Sequence, residues 1–248
     1  MIQKSHPRYA SLKTRELIAK GVKKGITSMH GLIAQGRGEA FDYLIGEKTN
    51  EFAKESIGAA AALLLLAKNP VISVNGSAAA LVPKELARLS KIIKAPLEVN
   101  IFYQSKKREL RIKAHLIKHG AKAVLLPQKN TKISHLDSNR KHVSPNGILK
   151  SDVVFVPLED GDRTEALAKN GKKVITIDLN PMSRTARKAT ITIVDNIVRA
   201  VPMLIKTIGK FRKYDKTKLE KTLRNHDSKK NLAGALHRIK HGEKSKDF

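Results

Sequence analysis

Between residues 70 and 194 short apolar runs alternate with segments of helical length, and no other feature restricts the fold of this chain so tightly. Val71-Ile72-Ser73-Val74 reads as a strand closed by the turn signal Asn75-Gly76. Helical spacing follows over 81–93, a second short strand over 96–101, a charged helix over 105–119 ending at Gly120, and a strand over 123–126. The stretch 127–148 has little periodicity and reads as a long loop. Strands at 152–157, 173–178 and 190–194, with a helix at 163–169, complete the pattern. Strands separated by helices of this length build βαβ units and a mainly parallel sheet. The expected class is α/β, with a Rossmann-like sheet flanked by helices. The expected division is a helical segment over 1–70 packed on the core, a Rossmann-like core over 71–206, and a basic tail, helical or partly disordered, over 207–248.

The first seventy residues read as three helices. Ser5-His6-Pro7 has the form of a cap with proline at the helix start, and Leu12, Leu17, Ile18 and Val22 give a stripe that closes near Gly21 and Gly25. Thr27 or Ser28 is placed to cap a second helix, whose first half Gly31, Gly36 and Gly38 weaken. A third spans 50–68, apolar on nearly all sides over 59–66 and therefore buried. The most apolar run, 57–67, falls short of the roughly 20 residues a bilayer span needs, so no membrane partner is expected. With no cysteine, disulfides, thiolate metal sites and a cysteine nucleophile are excluded, and no signal-like segment opens the chain. A cytoplasmic protein is expected.

The formal charge is +27, of which the last 43 residues carry +9, so the body itself is basic and attracts anions. Aromatic residues are only 4%, without tryptophan, which argues against a stacking platform for single-stranded nucleic acid. The lysine-rich tail, with Leu219, Leu223, Leu232, Leu236 and Ile239, reads either as a solvated amphipathic helix or as a nucleic-acid arm.

Open parallel sheets bind ligands beyond the carboxyl ends of their strands. There stand Asn75-Gly76-Ser77, Asn100, Glu159-Asp160-Gly161-Asp162-Arg163-Thr164, Asp178-Leu179-Asn180 with Ser183-Arg184-Thr185, and Asp195-Asn196. Any one of these is an ordinary turn; together they outline a nucleotide-binding edge. The three carboxylates between 159 and 162 can hold magnesium beside ATP phosphates or can cap a helix. Asp178-Leu179-Asn180 can bond ribose or adenine edges, and Ser183-Arg184-Thr185 can bind phosphate. Gly31 and Gly36 have P-loop spacing, but Arg37-Gly38 stands where lysine and a hydroxyl residue are needed. A P-loop is rejected, and Arg37 is kept as a phosphate-binding candidate. No Gly-x-Gly-x-x-Gly follows a strand, and His115 and His119, on a Lys/Arg-rich helix, read as surface histidines.

Ser5-His6-Pro7-Arg8-Tyr9, the stretch 25–43, Val71 through Gly76, Leu97-Glu98-Val99-Asn100, 156–167, and Ile177-Asp178-Leu179-Asn180-Pro181 through Asp195-Asn196-Ile197 resemble the archaeal phosphopantothenate synthetase (4-phosphopantoate–β-alanine ligase) family. The resemblance runs from about 5 to 202 and leaves the tail outside. It implies a homodimeric ligase of coenzyme A biosynthesis that joins 4-phosphopantoate to β-alanine, consumes ATP with magnesium, and releases AMP and diphosphate through an acyl adenylate. It also implies ATP contacts at Arg15, Arg37, Asp178, Leu179, Asn180, Arg184, Thr185, Asn196 and Ile197, with Arg37 and Arg184 assisting catalysis; metal ligands stay unassigned. The chain departs from the family pattern at Gln35, Ser77 and Tyr103-Gln104-Ser105. Two rival readings stand beside it: a related ATP-dependent ligase with another acceptor, and a basic nucleic-acid-binding protein.

Overall fold

The computed structural model describes residues 3–103 and 105–242. Three helices open the chain: α1 (Tyr9–Lys23), α2 (Met29–Leu44) and α3 (Glu51–Leu66). Ser5-His6-Pro7 does not cap α1. The Arg8 amide donates to His6 Nδ1 at 3.0 Å, which holds a turn ahead of a helix that starts at Tyr9 with no side-chain cap. α2 runs unbroken through its three glycines. Gly31 has its own reason, because a Cβ there would lie 2.4 Å from Thr27 Oγ1 and 3.2 Å from Ser77 Oγ. Close packing requires glycine at 31 alone: Gly36 has open space beside it and Gly38 meets only Leu179 at 3.6 Å, although each glycine costs a helix roughly 1 kcal/mol relative to alanine.

The core begins with β1 (Pro70–Val74), followed by α4 (Gly76–Leu81), α5 (Pro83–Ile93), β2 (Leu97–Val99), α6 (Lys106–Lys118) and β3 (Val124–Leu125). The helix expected over 81–93 is α5, and a short helix not expected from the sequence, α4, precedes it. Pro83 has no N–H to continue α4 and instead opens α5, with Val82 at φ −137° and ψ 46° breaking the helical path between them. The stretch read as a long loop is also structured. It holds an antiparallel pair, β4 (Gln128–Lys132) and β5 (His142–Val143), a 3₁₀ turn at Asn139–Lys141 and a π turn at Pro145–Leu149. β4 is mostly exposed and polar throughout, so it has no alternation to read.

Then come β6 (Val153–Phe155), α7 (Gly161–Lys169), β7 (Lys173–Ile177), α8 (Arg184–Lys188), β8 (Ile191–Ile193) and α9 (Ile197–Phe211). Pro202 inside α9 masks that helix in the sequence. The six main strands pair in parallel in the order β3-β2-β1-β6-β7-β8. The two faces differ because side chains alternate along each strand. Ile72, Val74, Leu97, Val99, Phe155, Ile175 and Ile177 join the larger core, built with α1, α3, α4, α5, α6 and α9. The opposite face packs Val71, Val154, Val156 and Val174 on Ile133, Val143, Ile148 and Leu167, and it also buries Ser73, Glu98, Thr176 and Thr192.

The tail forms α10 (Lys216–Arg224) and α11 (Ser228–His241). Both pack on α3, with Leu219 and Ala235 buried and the Asn231 amide donating to Phe52 O at 3.2 Å and Ser56 Oγ at 3.1 Å. Helix α3 is apolar on nearly all sides over 59–66, where α9, α10, α11 and β8 enclose the helix. Among the described residues no helix is long and apolar enough to cross a membrane.

Candidate active site

The chain winds outward in both directions from β1 and β6, which are neighbours, so the loops that follow them diverge and leave a crevice. Asn75, next after β1, bridges it: its Oδ1 accepts from the Ala78 amide at 2.9 Å, and its Nδ2 donates to Pro157 O at 3.1 Å and Leu158 O at 2.9 Å. Leu158 turns the chain with φ +57°, a left-handed conformation disfavoured for a leucine. Helix α2 roofs the crevice. Gly76 lets this happen, since a Cβ there would lie 2.5 Å from Ile26 O.

Two cavities of about 340 and 420 Å3 meet beneath α2 and share Ala34, Arg37, Leu158, Glu159 and Asp160. The first is lined further by Ser28, His30, Ser77, Tyr103, Arg108 and Arg140, the second by Phe41, Asp178, Leu179, Asn180, Arg184 and Thr185. They form one cleft with a waist at Arg37. Gln104, next to Tyr103, lies outside the described residues.

The acidic loop at the waist is bound to arginines. Fully buried Glu159 takes two bonds from Arg140, one of them from Nη2 at 2.7 Å, and one from Arg163 Nη1. Asp160 caps α7, accepting from the Arg163 amide at 2.8 Å, and pairs with Arg140 Nη1 at 2.5 Å. Burial opposes ionisation of Asp160, yet Arg140 and the Arg163 amide outweigh it and hold the carboxyl below its ordinary range. Arg163 also reaches Ser73 Oγ at 3.1 Å. Burial pulls its pKa down, against the pull of Glu159. Arg140 Nε donates to Asn100 Oδ1 at 2.9 Å, and the Asn100 amide donates back to Arg140 O and His142 O, each at 3.1 Å. A buried polar chain therefore runs from β2 through the insertion to α7 and β1. Asp162 pairs with Arg184. Of the two readings of this loop, the cap describes Asp160. No group of three or more metal-ligating side chains occurs among the described residues.

The turn after β7 is held by its own side chains. Asp178 accepts from the Asn180 amide at 2.9 Å and from Ser183 Oγ at 2.5 Å, and Asn180 Oδ1 accepts from the Met182 amide at 2.9 Å. Burial raises the Asp178 pKa, against Ser183, Asn180 and the charge of Arg37. Thr185 is buried and donates to Glu159 O at 2.9 Å. Arg184 reaches Glu165 Oε2 at 2.6 Å, and with Lys169 it pulls the Glu165 carboxyl down to about 2. Exposed Arg37 makes no hydrogen bond or ion pair among the described residues.

Six of the nine residues expected to hold ATP thus share one lobe: Arg37, Asp178, Leu179, Asn180, Arg184 and Thr185. Three do not. Arg15 makes two 2.7 Å bonds to Glu39 in a separate apolar groove of about 840 Å3 between α1 and α2. That side-chain bond lowers the Glu39 pKa. Asn196 caps α9 and donates to Asp42 Oδ2 at 2.8 Å, while Ile197 is buried in the core. Both follow β8, one strand along from Asp178. The sequence reading missed Arg108 and Arg140. Arg140 falls in the aperiodic stretch and Arg108 on a helix crowded with lysines and arginines, so neither carried a signal. His115 is half-buried rather than a surface histidine, and burial, with His119 and Lys24 nearby, depresses its pKa to about 4.

Residues 52–242 match the model of the phosphopantothenate/pantothenate synthetase family, so the tail as far as residue 242 lies within the match rather than outside it. The chain is 53% identical to the 4-phosphopantoate–β-alanine ligase of Thermococcus onnurineus and 52% identical to that of Thermococcus kodakarensis, covering 96% of this chain and 92% of each relative. The ligase of the same name from Methanosarcina mazei is 50% identical over 96% of this chain and 94% of its own.

Proposed function

The chain belongs to the phosphopantothenate/pantothenate synthetase family, and from that premise we propose that it is a ligase joining 4-phosphopantoate to β-alanine at the expense of ATP, in coenzyme A biosynthesis. The observation that carries the placement is the continuous two-lobed cleft at the switch point, with Arg37 at its waist. A nucleotide occupies the lobe of Asp178, Leu179, Asn180, Arg184 and Thr185, and the acid occupies the other. A carboxylate is a poor acyl donor because its leaving group would be oxide. Its oxygen attacks the α-phosphorus of ATP and expels diphosphate, forming an acyl adenylate. The β-alanine amine then attacks the acyl carbon, AMP leaves with the former carboxylate oxygen, and the amine proton passes to solvent.

Both steps gather negative charge on phosphates, so preorganised cations contribute most. Arg37 is free to meet that charge, and Arg184 reaches it by sharing its carboxylates. Asp178 and Asn180 act mainly through the turn they fix; the Asn180 side-chain nitrogen Nδ2 makes no hydrogen bond among the described residues and can read the nucleoside. Asn196 and Ile197 extend this edge through the backbone after β8. Magnesium, bound chiefly by phosphates and water, would neutralise phosphate charge. A homodimer belongs to the same reading. Met29, Ile33, Tyr43 and Leu44 lie exposed on α2, beside the groove that holds Arg15, and a second copy would cover them and bring Arg15 into use.

The test is a mass-spectrometric assay of purified protein with ATP, magnesium, 4-phosphopantoate and β-alanine. Phosphopantothenate with one AMP per amide is expected. ADP in place of AMP would replace the adenylate by an acyl phosphate, and absence of product would move the assignment to a ligase with another acceptor.

A further inference from the structure

Arg108 is the second uncommitted arginine of the cleft. It stands on the first turn of α6, and its Nη2 donates to Tyr103 O at 2.7 Å. Its Nε is buried with no hydrogen-bond partner, and no carboxylate pairs with it among the described residues. Burial lowers its pKa, with Glu109 opposing. The other arginines differ: Arg140 is neutralised by Glu159 and Asp160, and Arg184 by Asp162 and Glu165. The cleft therefore offers two open guanidiniums, Arg37 at the waist shared by both lobes and Arg108 in the lobe away from the nucleotide turn.

A guanidinium held half-buried without an anion is costly unless a ligand supplies one. The complement is a small molecule with an anionic group at each end. On the ligase reading, on which this inference rests, 4-phosphopantoate is such a molecule. Its carboxylate must sit at the waist to reach the α-phosphate, which leaves its phosphate at the other end of a four-carbon chain. Between the two, its dimethyl carbon needs an apolar wall, and Ile101, Phe102 and Tyr103 line that lobe. We infer that Arg108 binds the 4-phosphate of the acid substrate and sets the preference of this enzyme for the phosphorylated over the unphosphorylated acid.

Steady-state kinetics of the full chain and of Arg108→Gln and Arg108→Lys test this, with 4-phosphopantoate and with pantoate, the latter read as substrate or as competitive inhibitor. Arg108→Gln is expected to lose about 10- to 100-fold in kcat/KM for phosphopantoate, mostly through KM, and under about threefold in affinity for pantoate. Arg108→Lys keeps the charge without the fork and should recover part of the loss. Thermal melting monitors folding separately. An unchanged preference in Arg108→Gln, or an equal loss toward both acids, overturns the inference. A wild-type chain that turns over neither acid would instead overturn the ligase reading.

Discussion

Arg37 and Glu98 lie at opposite extremes of burial, and each makes a claim that one substitution can check. Arg37 is exposed and holds nothing in place, so Arg37→Ala should leave the melting temperature unchanged while lowering kcat by on the order of a hundredfold, as loss of an electrostatic clamp does. Wild-type turnover would remove Arg37 from the site. Glu98 is fully buried, accepting from the Ser144 amide at 2.9 Å and the Ile148 amide at 2.7 Å. Burial raises its pKa to about 7, against those two amides and Arg163. Above about pH 4.5 the unfolded chain has lost this proton while the fold keeps it up to about 7, so its contribution is whole below that window and is lost across it, by up to about 3 kcal/mol. Glu98→Gln should flatten the stability profile between those pH values. It should also cost about 1–3 kcal/mol, because the new amide nitrogen faces a backbone N–H. Chemical denaturation at several pH values measures both effects. At this scale the polar residues that end strands were legible, since the sheet dictates where to look. Arg140 was not, because its meaning comes from partners that only the fold brings near, and neither was Arg108, whose place in the cleft is set by the fold alone.

At the scale of elements, the alternation of buried strands and helices was readable because a parallel strand covered on both faces is a short apolar run. What escaped was what tertiary contact decides. The insertion between β3 and β6 is fixed by Glu98 and Asn100, which share one face of the sheet, rather than by its own pattern. α2 survives its glycines, and α9 survives Pro202, because both are packed. The tail is the sharpest case, since its lysine-rich sequence reads as solvated while Leu219, Asn231 and Ala235 are buried. A chain ending at Arg212 would uncover the alanine- and leucine-rich surface of α3. It should melt well below the full chain or aggregate, as light scattering during a thermal ramp would report. An unchanged melting curve would mean that α10 and α11 contribute nothing to the fold.

For the whole molecule, the charge of +27 attracts anions without selecting among them, and the cleft makes the selection. The basic surface is therefore compatible with a ligase and gives no separate support to a nucleic-acid binder. The apolar residues exposed on α2 are a different matter, since a second copy is the partner proposed for them. Ile33 is 72% exposed, so Ile33→Asp should leave the protomer folded but shift the mass in solution from dimer to monomer, as light scattering after size exclusion would show. A monomeric wild-type chain would contradict the dimer. The central claim is that the two lobes bring a carboxylate to the α-phosphate of ATP. 4-Phosphopantoate labelled with 18O in both carboxylate oxygens tests it most directly. The account predicts one label in the phosphate of AMP and one in the amide of the product. Label in inorganic phosphate, or AMP formed without label, would contradict it.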